Sequence, residues 1–103
     1  MQENDEQEDY GLYVNDETYF FKLFVTGASP NSTRAITNIK SICETKLVGR
    51  YELEIIDVYQ QPLMAESEQI IALPLLVKKM PLPERRFIGD LSDTEKVLKG
   101  LGI

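Results

Sequence analysis

The sequence predicts a single-domain α/β protein built on one small sheet, and three stretches carry that reading. Residues 19–25, YFFKLFV, are apolar at every position except Lys22, as in a strand covered on both faces. From Ala35 onward, Ile36, Ile39, Ile42, Cys43 and Leu47 recur at helical spacing, with Arg34, Asn38, Lys40 and Glu44 off the stripe. Residues 51–58, YELEIIDV, then set Tyr51, Leu53 and Ile55 against Glu52 and Glu54, the alternation of a strand with one wetter face near a sheet edge. Strand, helix and strand in that order form a right-handed parallel crossover.

The elements can be justified in turn. Gly27 ends the first strand, Ser29 is a good N-cap, and Pro30 suits the first helical position because its missing N–H would have no partner there. The helix is expected to stop near Gly49. Gln60–Gln61–Pro62 breaks the second strand, and LMAESEQII reads as a short, weakly amphipathic helix. Leu75–Val77 and Arg86–Ile88 are expected to form an antiparallel hairpin through the proline-stiffened turn Met80–Pro83. Ser92 with Glu95 reads as a capping box for a last helix that Gly100 or Gly102 ends. Between Ile70 and Val77 the apolar residues follow no clean period, so pattern alone does not separate strand from helix there. The order βαβαββα is that of the minimal thioredoxin-like architecture, with residues 17–103 as its domain and Pro74 at the place of that fold's cis proline.

Charge and composition narrow the function. Six of the seventeen acids lie in residues 1–16, which hold no Lys or Arg, so the other eleven balance the eleven bases of residues 17–103. The first sixteen residues read as a solvated, disordered tail, with docking through Tyr10, Leu12, Tyr13 and Val14 as the alternative. A neutral domain behind an acidic tail argues against nucleic acid as a partner. No apolar run approaches the roughly 18 residues of a membrane span, and MQENDEQEDY lacks the parts of a secretory signal. With one cysteine, Cys43, and no histidine, the expectation is a cytoplasmic protein without a zinc site or a His-based catalytic set.

The helix start that carries Cys-x-x-Cys in thiol oxidoreductases here reads Ala28–Ser29–Pro30–Asn31, so disulfide exchange is excluded. Cys43, on the apolar stripe, reads as a small hydrophobe. Gly27 is the only glycine of the turn and no Lys–Ser/Thr pair follows, which removes the phosphate-loop fingerprints. The carboxylates of Glu66 and Glu68, and of Asp90 and Asp93, are expected at exposed or capping positions. Lys78–Lys79 and Arg85–Arg86 fall on opposite arms of the hairpin and in register form a small basic patch, read as a solvated edge, with a docking patch for an acidic protein surface as the alternative. No catalytic, cofactor or metal site is expected, and the protein reads as a non-enzymatic binding domain.

The runs KLFVTGASPNSTRA, YELEIIDVYQQP, ALPLL and, above all, RRFIGDLSDTEKVLKGL resemble the KaiB family of circadian-clock proteins over residues 18–101. The resemblance implies a regulator that docks on the N-terminal lobes of the KaiC ring ATPase and alters its phosphorylation state. It also implies a metamorphic chain, able to exchange a thioredoxin-like monomer for a tetramer in which the C-terminal half is rebuilt. By position it implies KaiC-facing roles for Arg34, Gln69, Leu75, Lys78 and Lys79, and an edge-strand partner surface at Glu52 and Glu54. It places Pro74, Pro81, Pro83, Gly100 and Gly102 in the half that changes fold. Glu54 and Gln69 stand where the family carries Lys, which argues against a KaiA-type partner. With Gly102 in place of an Asp, and Ile103 last, the thioredoxin-like state is expected to be populated at rest. The alternative is a redox-inactive thioredoxin-like adaptor in stress response or signalling.

Overall fold

A computed structural model describes residues 17–103; the acidic segment 1–16 lies outside the described residues. The elements are β1 (Tyr19–Val25), α1 (Pro30–Lys46), β2 (Tyr51–Asp57), α2 (Pro62–Glu66), β3 (Leu75–Met80), β4 (Arg85–Ile88) and α3 (Thr94–Leu101). They form a four-stranded sheet in the order β2-β1-β3-β4. β1 pairs in parallel with β2, Tyr19 opposite Tyr51 through Val25 opposite Asp57, and antiparallel with β3. β4 closes the other side antiparallel to β3, with Lys78 opposite Arg85 and Leu75 opposite Ile88. The thioredoxin-like βαβαββα reading is therefore the observed architecture.

The two faces of the sheet are covered unequally. On one face, Tyr19, Phe21, Leu23 and Val25 of β1 meet Ala35, Ile39, Ile42 and Cys43 of α1, while Val97 and Leu101 of α3 join them. On the other face a smaller cluster, Phe24, Ile56, Leu75 and Val77, is covered by Met64, Ile70 and Leu73 around α2. Because α2 is only five residues long, that cover does not extend to the start of β1. Phe20, expected to be buried like its neighbours, is 40% exposed there, as is much of Met80 opposite it. Phe20 pairs with Met80 and Phe21 with Lys78, so Lys79 is the extra residue of a β-bulge.

Several boundaries differ from the sequence expectation. The helix expected across LMAESEQII ends at Glu66, and Ser67–Gln69 turn away with Gln69 at φ +53°. β3 runs three residues beyond Val77, because pairing with both β1 and β4 overrides the charge of Lys78 and Lys79. The cap of α3 is Asp93, whose side chain accepts the Lys96 amide, rather than Ser92. Ser92 instead donates its amide to Asp90 Oδ1 at 3.0 Å, which moves the helix start one residue on. The Leu73–Pro74, Met80–Pro81 and Leu82–Pro83 peptides are cis.

Two glycines of the last helix do different work. Gly100 lies within α3, where an added Cβ would stand 2.5 Å from the ring of Phe87. Gly102 ends the helix at φ +78°, its amide bonded back to Leu98 and Lys99. A side chain in the left-handed region costs about 1 kcal/mol or slightly more. Gly102→Ala is accordingly expected to lower stability by about 1 kcal/mol, roughly 4–8 °C in thermal midpoint for a domain of this size, as read by circular dichroism.

Candidate binding surface

The strand–helix junction is closed by hydroxyls. Ser29 caps α1 by accepting the Ser32 amide at 3.2 Å, and its hydroxyl donates to Ser32 Oγ at 2.8 Å. Ser32, fully buried, accepts the amide of Thr26 at 3.1 Å. Backbone donors that would otherwise be orphaned at a helix start are thus satisfied from within. Cys43 lies twelve residues along the chain from Asn31, buried against the sheet, and burial together with Glu44 pushes its thiol up to about 12. The thiol stays protonated near neutral pH.

On the α1 side of the molecule, Arg34 binds the loop that follows β4. Its Nε donates to Asp90 Oδ2 at 3.1 Å, its guanidinium also reaches Asn31, and Asn38 donates to the Asp90 carbonyl at 2.8 Å. Asp90 is not merely a capping acid, as expected; it ties this loop to α1. Hydrogen bonds from Ser92, through hydroxyl and amide, and from Arg34 hold its carboxyl below the usual carboxylate range. Leu91 follows at φ +63° and is buried beneath the loop.

On the opposite face Glu68 is the hub of an ion network. Expected at the surface, it is 7% exposed, with Lys79 Nζ at 2.7 Å and Arg86 at 3.2 Å. Glu84, on the hairpin turn, approaches the same two cations at 3.7 and 3.9 Å. This corrects the expected basic patch. Lys79 and Arg86 lie on the α2 face, paired with acids, whereas Lys78 and Arg85 oppose each other on the α1 face. Lys78 is 4% exposed, 5.9 Å from the centre of the Tyr19 ring; burial, then the neighbouring Arg85, lowers its pKa, and Glu17 partly offsets them.

The residues expected to face a partner are therefore distributed as follows. Lys79 pairs with Glu68, Gln69 is the exposed residue that follows Glu68 in the chain, and Arg34 sits across the sheet on Asp90. Leu75 is in the smaller core cluster. Glu52 and Glu54, exposed on edge strand β2, oppose Phe20 and Lys22 around a shallow hollow that Met80 completes. Pro74 is buried, and its carbonyl accepts the Gly89 amide at 2.9 Å. Pro81 and Pro83 stand in the hairpin turn. Sequence reading missed Glu68 and Asp90. The signal was available for the first: four bases on one short hairpin require a counter-ion from elsewhere. Among the described residues no group of His, Cys, Asp and Glu could hold a metal ion, and no helix is long and apolar enough to cross a membrane.

Fold and junction define a thioredoxin-like domain with Ala28 and Asn31 where a redox protein would carry its two thiols. A family model described as the KaiB domain matches residues 22–103, and the chain belongs to the KaiB family. It is 52% identical over 87 residues to the circadian clock oscillator protein KaiB of Synechococcus elongatus, covering 84% of this chain and 85% of that one. The namesake from Prochlorococcus marinus subsp. pastoris is also 52% identical, over 90 residues, with 87% and 84% covered. Among solved structures, the N-terminal domain of Synechococcus elongatus SasA superposes with a TM-score of 0.68 at 23% identity, over 99% of this chain and 94% of that one. Fasciola hepatica thioredoxin gives 0.64 at 17%, over 87% and 88%. These last two likenesses are of fold.

Three measurements follow. In the native protein Cys43 is expected to resist a maleimide or disulfide reagent at pH 8 and to react fully once unfolded, as read by mass spectrometry. Asp90 has its folded pKa depressed, so its contribution to stability is present above the unfolded value, about 3.9, and is lost as pH falls through the folded one. Asp90→Asn should therefore show a smaller loss of thermal midpoint than the parent across that acidic window. A carboxyl NMR titration of the parent should find Asp90 below the ordinary midpoint, and Ser92→Ala should raise it.

Proposed function

We propose that this chain is a KaiB-type regulator that acts by docking, without chemistry of its own, on a KaiC-like ring ATPase and thereby changes that ATPase's phosphorylation or signalling state. Family membership across residues 22–103 carries this reading. The relatives are named circadian clock oscillator proteins, so the role is in a clock or in a system derived from one. The thioredoxin-like state is the docking form, presented in the cytoplasm.

The residues proposed for docking reach solvent on two sides of the sheet, Arg34 on the α1 side and Gln69 and Lys79 on the α2 side, with Leu75 and Lys78 buried in the strand between them. Arg34 and Lys79 are held by acids, so a partner meets an ordered side chain instead of a free one. Glu52 and Glu54 give the β2 edge an acidic character, and a KaiA-like partner is not part of the proposal.

The test is binding of purified chain to an immobilised KaiC-type ATPase, read by interferometry with and without ATP. Arg34→Glu and Lys79→Glu should each weaken binding about tenfold or more, the size of one lost hydrogen-bonded charge pair. Glu54→Ala should leave it within about twofold. Absence of binding by the folded parent protein, or unchanged affinity in both charge reversals, would refute the proposed surface or partner.

A further inference from the structure

The end of the sheet where β1 begins holds a charge arrangement that the described residues leave unbalanced, and it is independent of the docking reading above. There Phe21 of β1 opposes Lys78 of β3, and Lys78 in turn opposes Arg85 of β4. Like charges placed directly opposite on neighbouring strands repel. Lys78 is 4% exposed, its ammonium 5.9 Å from the centre of the Tyr19 ring, and neither it nor Arg85 has a salt bridge among the described residues. The acids nearby are engaged elsewhere. Glu84 is with Lys79 and Arg86, Glu44 takes the Tyr51 hydroxyl, and Glu52, opposite Phe20, lies on the α2 face. Glu17 is the described acid whose charge acts on Lys78, and burial and Arg85 outweigh it.

Glu17 is also the point at which residues 1–16 join the domain. That segment carries Glu3, Asp5, Glu6, Glu8, Asp9 and Asp16 and no base. Two interstrand steps, about 10 Å, separate β1 from β4. The eight steps of chain from Glu17 back to Asp9 can span about 27 Å, so the acids of residues 3–9 reach the pair with slack to spare. Because they are tethered, they are present there at an effective concentration on the order of millimolar, which a separate partner would have to match. The far end of the sheet repels them: Asp57, Asp90, Asp93 and Glu95 stand there against Arg34 and Lys96. We infer that the acidic cluster Glu3–Asp9 of this same chain folds back across the α1-face ends of β3 and β4, setting its carboxylates on Arg85 and on the exposed rim of the Lys78 ammonium. The segment then supplies the counter-charge that the hairpin lacks on this face, as Glu68 supplies it on the other.

The test uses the full chain with a nitroxide on Gln7→Cys, Cys43 being buried, and reads paramagnetic loss of amide signal by NMR. At about 0.01 M NaCl the amides of residues 78 and 85 should lose at least about twofold in intensity, and recover at about 1 M, as the screening length falls from roughly 30 Å to roughly 3 Å. Arg85→Gln, at an exposed position, should relieve the loss, and so should exchanging the five acids of residues 3–9 for Gln and Asn, with the remaining spectrum still folded. Absence of any loss, a loss centred on residues 34–38 or 90–96, or a loss unchanged in both variants would overturn the inference. So would two rival arrangements. Apolar docking through Tyr10 to Val14 would give a loss indifferent to salt. Capture by a second copy would pass the loss from a spin-labelled chain to a separate isotope-labelled one.

Discussion

A four-stranded sheet whose central strand must be dry on both faces has to find cover twice, and this chain has one long helix to do it with. α1 and α3 cover the first face with aliphatic side chains from Ala35 to Leu101. The second face receives α2, five residues long, and the cover there is completed electrostatically. Glu68, pulled under the 67–73 segment, binds Lys79 and Arg86, and so fastens that segment to the β3–β4 hairpin. Both cations remain about one-third exposed, which keeps the desolvation cost far below that of a fully buried pair. The gain is correspondingly modest, on the order of 1 kcal/mol per contact.

The same imbalance determines which side chains stay open to solvent. The covered face ends in a loop that Arg34 and Asn38 hold through Asp90, so its charged groups are ordered. The uncovered part of the other face leaves Phe20, Lys22, Glu52, Glu54 and Met80 on view. Outside both lies the β4 edge, short and opening with Arg85 and Arg86, as edges that avoid indiscriminate pairing tend to be. A thioredoxin-like frame with hydroxyls at its helix start thus has several separate surfaces and no thiol pair at the customary place.

The first half of the chain was legible because each local signal agreed with the global fold. YFFKLFV could only be central, Ser29–Pro30 could only open a helix, and the Glu52/Glu54 alternation put β2 at an edge. The second half was less so. Ser92 and Glu95 satisfy the capping-box pattern, yet Asp90 takes the Ser92 amide and Asp93 becomes the cap. LMAESEQII carries a helical pattern, yet the chain leaves the helix after Glu66 and carries Glu68 inward to the bases of the hairpin.

By itself, then, the sequence determined β1, β2, the main helix, the buried thiol and the family, since these rest on near-neighbour signals, on hydrophobic period or on runs of residues shared with relatives. Tertiary structure decided the rest: which bases share a face, which acid is buried between them, and which edge stays open. Those depend on side chains meeting across long loops, as Arg34 meets Asp90 fifty-six residues away, and no local pattern encodes a distance of that kind.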